Sequence, residues 1–506
     1  MTKTAAPTRQ PSNAPVPDAP APAALALVET PLDQVDALGQ RAAQASVALE
    51  AVSDAERADW LDAIADAIDA ARDELVELAE LETRLGTARL TGEVARTSAQ
   101  LRLFALVVRD GAWREVAIDR ADPAARPPRP ELRRMLTAVG PVAVYSASNF
   151  PFAFSVAGGD TASALAAGCP VIVKGHSGHP RLSAATAAVV ACALARAGAP
   201  DGTFAHISGR AAGQALVVHP AIRAAGFTGS LSGGRALFDL ANGRPDPIPF
   251  HGELGSVNPV VITRAAATSR GAELAAGLAA SFTLGSGQFC TKPGIVFVPE
   301  GTGFEAGLTA AIGPLSAGPL LTERIGAAFP AGLARLTADP SVSVIAYGTA
   351  SDDAPTPVVL GTSARAVAER PDILLEECFG PVTLLARYRG PAELDAAVRA
   401  IGGSLTATLH AEPGDDASSI VQLLASIAGR VLFAGWPTGV AVTWSQHHGG
   451  PWPASTSTHT SVGATSIRRF LRPIAYQDAP AELLPAPLRD EALPGSARRV
   501  DGILLT

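Results

Sequence analysis

Cysteine is scarce in this chain. The four residues Cys169, Cys192, Cys290 and Cys378 lie far apart among 506, which excludes a disulfide framework and fits no zinc-ligand spacing. Charge is sparse too: charged residues are 17% of the chain, 40 Lys and Arg stand against 48 Asp and Glu, and the net charge is −8. No long basic run exists to neutralise a phosphate backbone, so nucleic acid is not an expected partner. Nor is there an uncharged apolar stretch of about 18 residues, and no membrane span is expected. The beginning, with Lys3 and Arg9 in a Pro/Ala-rich stretch, has no compact apolar segment of the secretory kind, so a cytoplasmic location is expected. Residues 1–24 hold almost no large apolar side chain and read as a disordered tail.

What is present is apolar bulk: 47% of the residues are hydrophobic, and 506 are too many for one core, so two or three domains and a cleft between them are expected. From Leu32 to about Val108 the periodicity is helical, and Ser53-Asp54-Ala55-Glu56 has the form of a capping box. After the Pro-rich stretch Pro123 to Pro130, short β-branched runs alternate with alanine-rich segments, as a parallel α/β sheet requires. The spacing predicts strands at Val142–Tyr145, Val171–Lys174, Phe204–Ile207 and Ala224–Phe227. It predicts helices ending near Gly168 and spanning about Ser183–Ala197, the latter stopped by Gly198. This is a doubly wound, Rossmann-like layout, whose ligands gather at the carboxyl ends of the strands, near Lys174, Gly209 and Thr228-Gly229-Ser230. A second alternating region runs from about Asn258 to Arg387, with Ile295–Val298 and Val382–Leu385 as its clearest strands.

Cys169 and Cys192 sit in apolar or alanine-rich sequence and read as small buried hydrophobes. Cys290 differs, because Ser286-Gly287-Gln288-Phe289-Cys290-Thr291-Lys292-Pro293-Gly294 sets a thiol between glycines and a turn. A thiol of pKa near 8.5 needs positive charge or donors to ionise at neutral pH, and Lys292 or nearby backbone N–H groups are the expected source. Glu253 stands in Phe250-His251-Gly252-Glu253-Leu254-Gly255, Asn149 in Ser148-Asn149-Phe150-Pro151 with an amide suited to an oxyanion, and Glu377 in Glu376-Glu377-Cys378-Phe379-Gly380-Pro381. His447 and His448, adjacent in a glycine-rich loop, read as turn or interface residues, as do His179 and His251. No metal is expected.

These four motifs, in this order, resemble the aldehyde dehydrogenase superfamily over nearly the whole chain beyond the tail. Ser146 to Pro151, Gly175-His176-Ser177-Gly178-His179-Pro180, Gly435-Trp436-Pro437-Thr438-Gly439 and His448-Gly449-Gly450-Pro451 are similar to the branch of NADP-dependent fatty aldehyde and 2,5-dioxopentanoate (α-ketoglutarate semialdehyde) dehydrogenases.

The resemblance implies an α/β aldehyde dehydrogenase-like fold. A Rossmann-like cofactor domain (25–120 and 138–250) would be followed by a second α/β catalytic domain (251–445) and an oligomerisation arm (121–137 and 446–490) that pairs the chain as a homodimer or homotetramer. It implies that Cys290 attacks an aldehyde, that Asn149 and the Cys290 N–H hold the oxyanion, and that Glu253, a base suited by a raised pKa, activates the water that hydrolyses the thioester. Lys174, Ser177, Gly229, Ser230, Gly234, Leu254, Glu377 and Phe379 would hold the nucleotide, with Ser230 and Gly234 at a helix N-terminus beside the pyrophosphate. Many NAD-preferring relatives carry a glutamate after Lys-Pro-Ser/Ala, whereas this chain has Lys174-Gly175-His176-Ser177. Ser177 can donate to a 2′-phosphate and Lys174 or His176 can offer positive charge, so NADP is expected over NAD.

Phe150, Phe154, Trp436 and Trp444 are the candidates to line a channel for the aldehyde. The expected substrate is 2,5-dioxopentanoate, with a medium- or long-chain fatty aldehyde as the alternative, and the keto acid requires a cationic anchor that no motif identifies. A CoA-acylating enzyme would not need Glu253, a cysteine hydrolase would leave Lys174 and the doubly wound half without purpose, and an inactive scaffold would not need Cys290, Glu253 and Asn149 together.

Overall fold

The computed structural model describes residues 29–437, 439–491 and 497–505. The expected tail, 1–24, and Thr438 of the Gly435–Gly439 motif lie outside them. The chain opens with α1 (Leu32–Leu49), α2 (Asp54–Ala70), α3 (Arg72–Thr83) and α4 (Thr87–Asp110). The expected capping box is formed at α2: the Glu56 N–H donates to Ser53 Oγ and the Ser53 N–H to Glu56 Oε2. Leu61, Ile64 and Ile68 of α2 meet Leu90, Val94, Leu101 and Phe104 of α4 in one core, each side chain contributing about 1.5–3 kcal/mol by leaving water. Two short antiparallel strands follow, β1 (Val116–Asp119) and β2 (Leu132–Ala138).

The Rossmann-like half holds β3 (Val142–Tyr145), α5 (Gly159–Ala167), β4 (Val171–Lys174), α6 (Pro180–Arg196), β5 (Phe204–Ile207), α7 (Arg210–Val218), β6 (Ala224–Thr228), α8 (Leu231–Asn242) and β7 (Phe250–Glu253). The strands are parallel throughout in the order β5-β4-β3-β6-β7. Their order reverses between β3 and β6, which opens a crevice at the carboxyl ends, where Lys174, Thr228 and Glu253 stand. Helix α6 starts three residues before the expected Ser183, because Pro180 fits the first turn.

The second half is a seven-stranded sheet of β8 (Val260–Ile262), β9 (Ile295–Pro299), β10 (Ser343–Tyr347), β11 (Val358–Ser363), β12 (Val382–Tyr388), β13 (Ser404–His410) and β14 (Ala428–Phe433). Its order is β10-β11-β12-β9-β8-β13-β14, and only β10 runs antiparallel to its neighbour. Apolar side chains cover both faces. The third sheet places β15 (Leu471–Gln477) on β2, and β16 (Arg498–Val500) and β17 (Ile503–Leu505) beyond β1. The 446–490 segment therefore divides: β15 joins this outlying sheet, while His448 to Ser461 turns back onto β7, with Leu254 N–H donating to Ala454 O.

Candidate active site

Cys290 lies in the turn between the helix Gly271–Thr283 and β9, and two features fix that turn. Gly287 has φ of +69°, and a Cβ there would come within 2.1 Å of the Gly380 carbonyl oxygen, so only glycine lets the loop lie against the Glu377–Pro381 segment. Buried Asn258 donates from Nδ2 to the Cys290 carbonyl at 2.7 Å and the Lys292 carbonyl at 3.0 Å, and accepts from Ser256 and Thr406 at Oδ1. Asn258 carried no motif, yet it is the bracket of the thiol loop.

Glu253 ends β7 and is 3% exposed. Its Oε2 accepts from Ser461 Oγ at 2.6 Å, and its Oε1 lies 2.9 Å from His448 Nε2, which in turn is 3.6 Å from Cys290 Sγ. The thiol, carboxylate and imidazole atoms all fall within 4.8 Å of one another. This corrects the reading of His448 as a turn or interface residue: it is fully buried and joins the thiol to the carboxylate. Thr460 Oγ1 accepts the His448 N–H, and the Ser461 N–H donates to the His448 carbonyl, so the His448–Ser461 strap holds the imidazole in place. Asn149 Nδ2 donates to Gln288 O at 3.0 Å, which sets its amide beside the thiol loop and leaves its second proton for another acceptor.

Three further expectations are corrected. Lys292 does not face the thiol: its Nζ donates to the carbonyls of Cys378, Gly380 and Val382 at 2.7, 3.1 and 3.1 Å, because the turn sends it to the underside of the loop. Burial therefore pushes the Cys290 thiol up, and the negative charges of Glu253 and Glu377 push the same way, against Arg96. Glu253 is not raised: burial pushes its carboxyl up, but His448, Ser461 and Cys290 outweigh that and hold it below its ordinary value. His176 does not offer a cation, since burial, then His179, Lys174 and Arg324, push it down to about 3, and its Nδ1 accepts the Gly178 N–H. His179, read as a turn or interface residue, is buried, and His251 is half-buried. His179 bonds Ser183 and the Ala147 carbonyl, and the His251 ring meets Phe470 edge-on.

On the crevice side, Lys174 ends β4 and Ser177 is exposed in the loop after it. Burial pushes Lys174 down, as does Arg324, with Glu29 opposing. Ser230 is the N-cap of α8, accepting the Gly233 N–H, and Gly229 is the residue before it. Leu254 packs so closely on Gly234 that a Cβ there would sit 2.1 Å from Leu254 Cδ2. Glu377 lies against Gly255 and its carboxyl is pushed up to about 7 by burial, with Lys292 opposing; Phe379 is half-buried two residues on. A cation, a hydroxyl and a glycine-lined helix N-terminus that could donate, with a carboxylate that could accept, are the kinds of group that could hold a nicotinamide nucleotide.

The aromatic candidates separate. Phe150 and Phe154 meet at a tilt with their centroids 5.4 Å apart, and Phe154 lies 6.3 Å from the His448 ring. Trp436 is clamped between Gly277 and His410, whose ring centroid is 4.5 Å away, and Trp444 is 52% exposed.

The sequence model of the aldehyde dehydrogenase family matches residues 24–329. The chain is 47% identical over 447 residues to alpha-ketoglutaric semialdehyde dehydrogenase 2 of Azospirillum brasilense, covering 86% of this chain and 85% of that one. It is 42% identical over 482 residues to alpha-ketoglutaric semialdehyde dehydrogenase of Acinetobacter baylyi, with 94% and 92% covered. Among solved structures, an Escherichia coli NADP dependent enzyme superposes with a TM-score of 0.73 at 23% identity, over 88% of this chain and 90% of that one, a likeness of fold. Among the described residues no helix is long and apolar enough to cross a membrane.

Proposed function

This chain belongs to the aldehyde dehydrogenase family and oxidises aldehydes with a nicotinamide nucleotide, and from that premise we propose that it converts α-ketoglutaric semialdehyde to α-ketoglutarate with NADP through Cys290. The observation that carries the chemistry is the compact set of Cys290 Sγ, His448 Nε2 and Glu253 Oε1. The thiol proton leaves for the His448–Glu253 pair and the thiolate attacks the aldehyde carbon. The oxyanion then accepts the free Asn149 amide proton and the Cys290 N–H, donors held in place before the reaction. When bound, the nucleotide supplies the acceptor for the hydride. Glu253 takes a proton from the water that attacks the thioester, which releases the carboxylate and restores the thiol. A carboxylate held below its ordinary value is a weaker base but is ionised at neutral pH, and it passes the proton on through His448.

The likeness to two alpha-ketoglutaric semialdehyde dehydrogenases supports the substrate. NADP is supported by the absence of a carboxylate at Ser177 and by the cations Lys174 and Arg324, the latter close enough to act on Lys174. Formation of reduced nicotinamide tests both. The expected order of kcat/KM is α-ketoglutaric semialdehyde above hexanal and decanal, and NADP above NAD. A preference for decanal overturns the substrate, and a preference for NAD overturns the cofactor.

A further inference from the structure

Helix α4 carries Arg89, Glu93 and Arg96 on one face, at i, i+4 and i+7. Two of them are spent on the fold. Arg89 donates to the Asn149 carbonyl at 2.7 Å, and Glu93 Oε1 accepts the N–H groups of Phe152 and Ala153. Arg96 is different. Its guanidinium carbon lies over the rings of Phe150 and Phe154, at 5.7 and 5.3 Å, while Nε and Nη2 are buried without an acceptor among the described residues. Among the described residues it is the one charged side chain lining a cleft of about 300 Å³ with Ala99, Val440, Ala441 and Val442.

A second arginine repeats the pattern from the other half of the molecule. Arg430, on β14, also has Nε and Nη2 buried without an acceptor. Both guanidinium groups are close enough to Cys290 to act on its charge. Buried donors without acceptors are costly, and two arginines buried elsewhere in the fold show how such groups are satisfied by carboxylates: Arg133 meets Glu131 and Asp490, and Arg469 meets Asp160. Glu93 is the counter-charge on Arg96's own helix, but no hydrogen bond joins the two. Glu93 Oε2 is likewise buried without a partner among the described residues, so the free guanidinium N–H groups have room for an incoming acceptor, and a planar fork of N–H donors is shaped for a carboxylate.

We propose that Arg96 and Arg430 form the anchor that receives the carboxylate of an α-keto acid semialdehyde while its aldehyde carbon lies at Cys290. The rings of Phe150 and Phe154 hold the Arg96 plane in place. This rests on the substrate reading above and supplies the cation that no sequence motif identified.

The test compares wild type with Arg96→Gln, Arg96→Lys and Arg430→Gln, on α-ketoglutaric semialdehyde and on pentanal, with α-ketoglutarate as an inhibitor of pentanal oxidation. In each Gln variant the ratio of kcat/KM for the semialdehyde to that for pentanal falls by about 10- to 100-fold, through KM, and the inhibition constant of α-ketoglutarate rises in step. Arg96→Lys retains part of both. A ratio and an inhibition constant within about 3-fold of wild type overturn the anchor. If a Gln variant does not fold, by its thermal melt, Arg96→Lys and the other Gln variant decide. Should wild type prefer pentanal, the substrate reading fails by itself. The inhibition constants then judge the anchor alone, and a wild type that α-ketoglutarate does not inhibit overturns it.

Discussion

Cys290, Glu253 and His448 behave as one unit, and their electrostatics give a prediction that runs against intuition. Burial is the largest cause of the raised Cys290 thiol and Glu253 is the next. Replacing Glu253 with Gln removes a negative charge beside the sulfur, so the pH profile of Cys290 alkylation by iodoacetamide shifts to lower pH even as aldehyde turnover falls. A shift to higher pH would sink this account of the thiol. Replacing His448 with Ala breaks the link between sulfur and carboxylate, and kcat is expected to fall about 100-fold, the usual scale of a positioned proton carrier. Lys292 supplies the contrast. Lys292→Met removes three hydrogen bonds to buried carbonyls, of which Gly380 O keeps the Val382 N–H, so the protein loses roughly 3 kcal/mol in urea unfolding. The alkylation profile of the folded fraction does not move toward higher pH, as it would if Lys292 stabilised the thiolate.

At the scale of elements, the site depends on loops that meet across the molecule. Ala at Gly287 would collide with the Gly380 carbonyl and strain a φ of +69°; a displacement of about 1 Å at Cys290 is enough for a loss of about 100-fold in kcat, read by steady-state kinetics. Val142–Tyr145 and Val171–Lys174 were legible in the sequence because a strand buried on both faces is a short run of β-branched and small apolar residues, and edge strand Phe204–Ile207 also lies at the expected residues. His448 was not legible, since it owes its role to Glu253, 195 residues away, and a histidine in a glycine-rich loop carries no periodic signal. Lys292 misled for the opposite reason: adjacency to Cys290 in sequence says nothing about which side of a turn a side chain takes. Arg96 left a usable trace, the 89, 93, 96 spacing that puts three charged groups on one face of an otherwise packed helix.

For the whole molecule, histidines held largely inside the fold make stability depend on pH. His176 and His251 are pushed down to about 3, and His206 and His410 to about 4, in each case chiefly by burial. A histidine whose folded pKa lies below its unfolded value near 6.5 takes up its proton more readily when unfolded. Its contribution is therefore complete above about pH 6.5 and is lost as pH falls from there toward the folded value, by roughly 2 kcal/mol per residue at pH 5. Glu377 opposes this, because its carboxyl, pushed up to about 7, binds a proton in the folded state and gains stability as pH falls below that value. Glu93, also raised by burial, acts with Glu377, but the lowered histidines, His179 among them, outnumber the two and leave acid destabilisation as the net result between pH 7.5 and 5, above the range where ordinary carboxylates titrate. The urea midpoint is expected to fall across that interval. His410 is the residue to isolate the cause: its ring stacks on Trp436 and both nitrogens lack a partner, so His410→Phe keeps the stacking and removes the titration. The variant's midpoint should fall less steeply than wild type's, and an equal or steeper fall would assign the pH dependence to other groups.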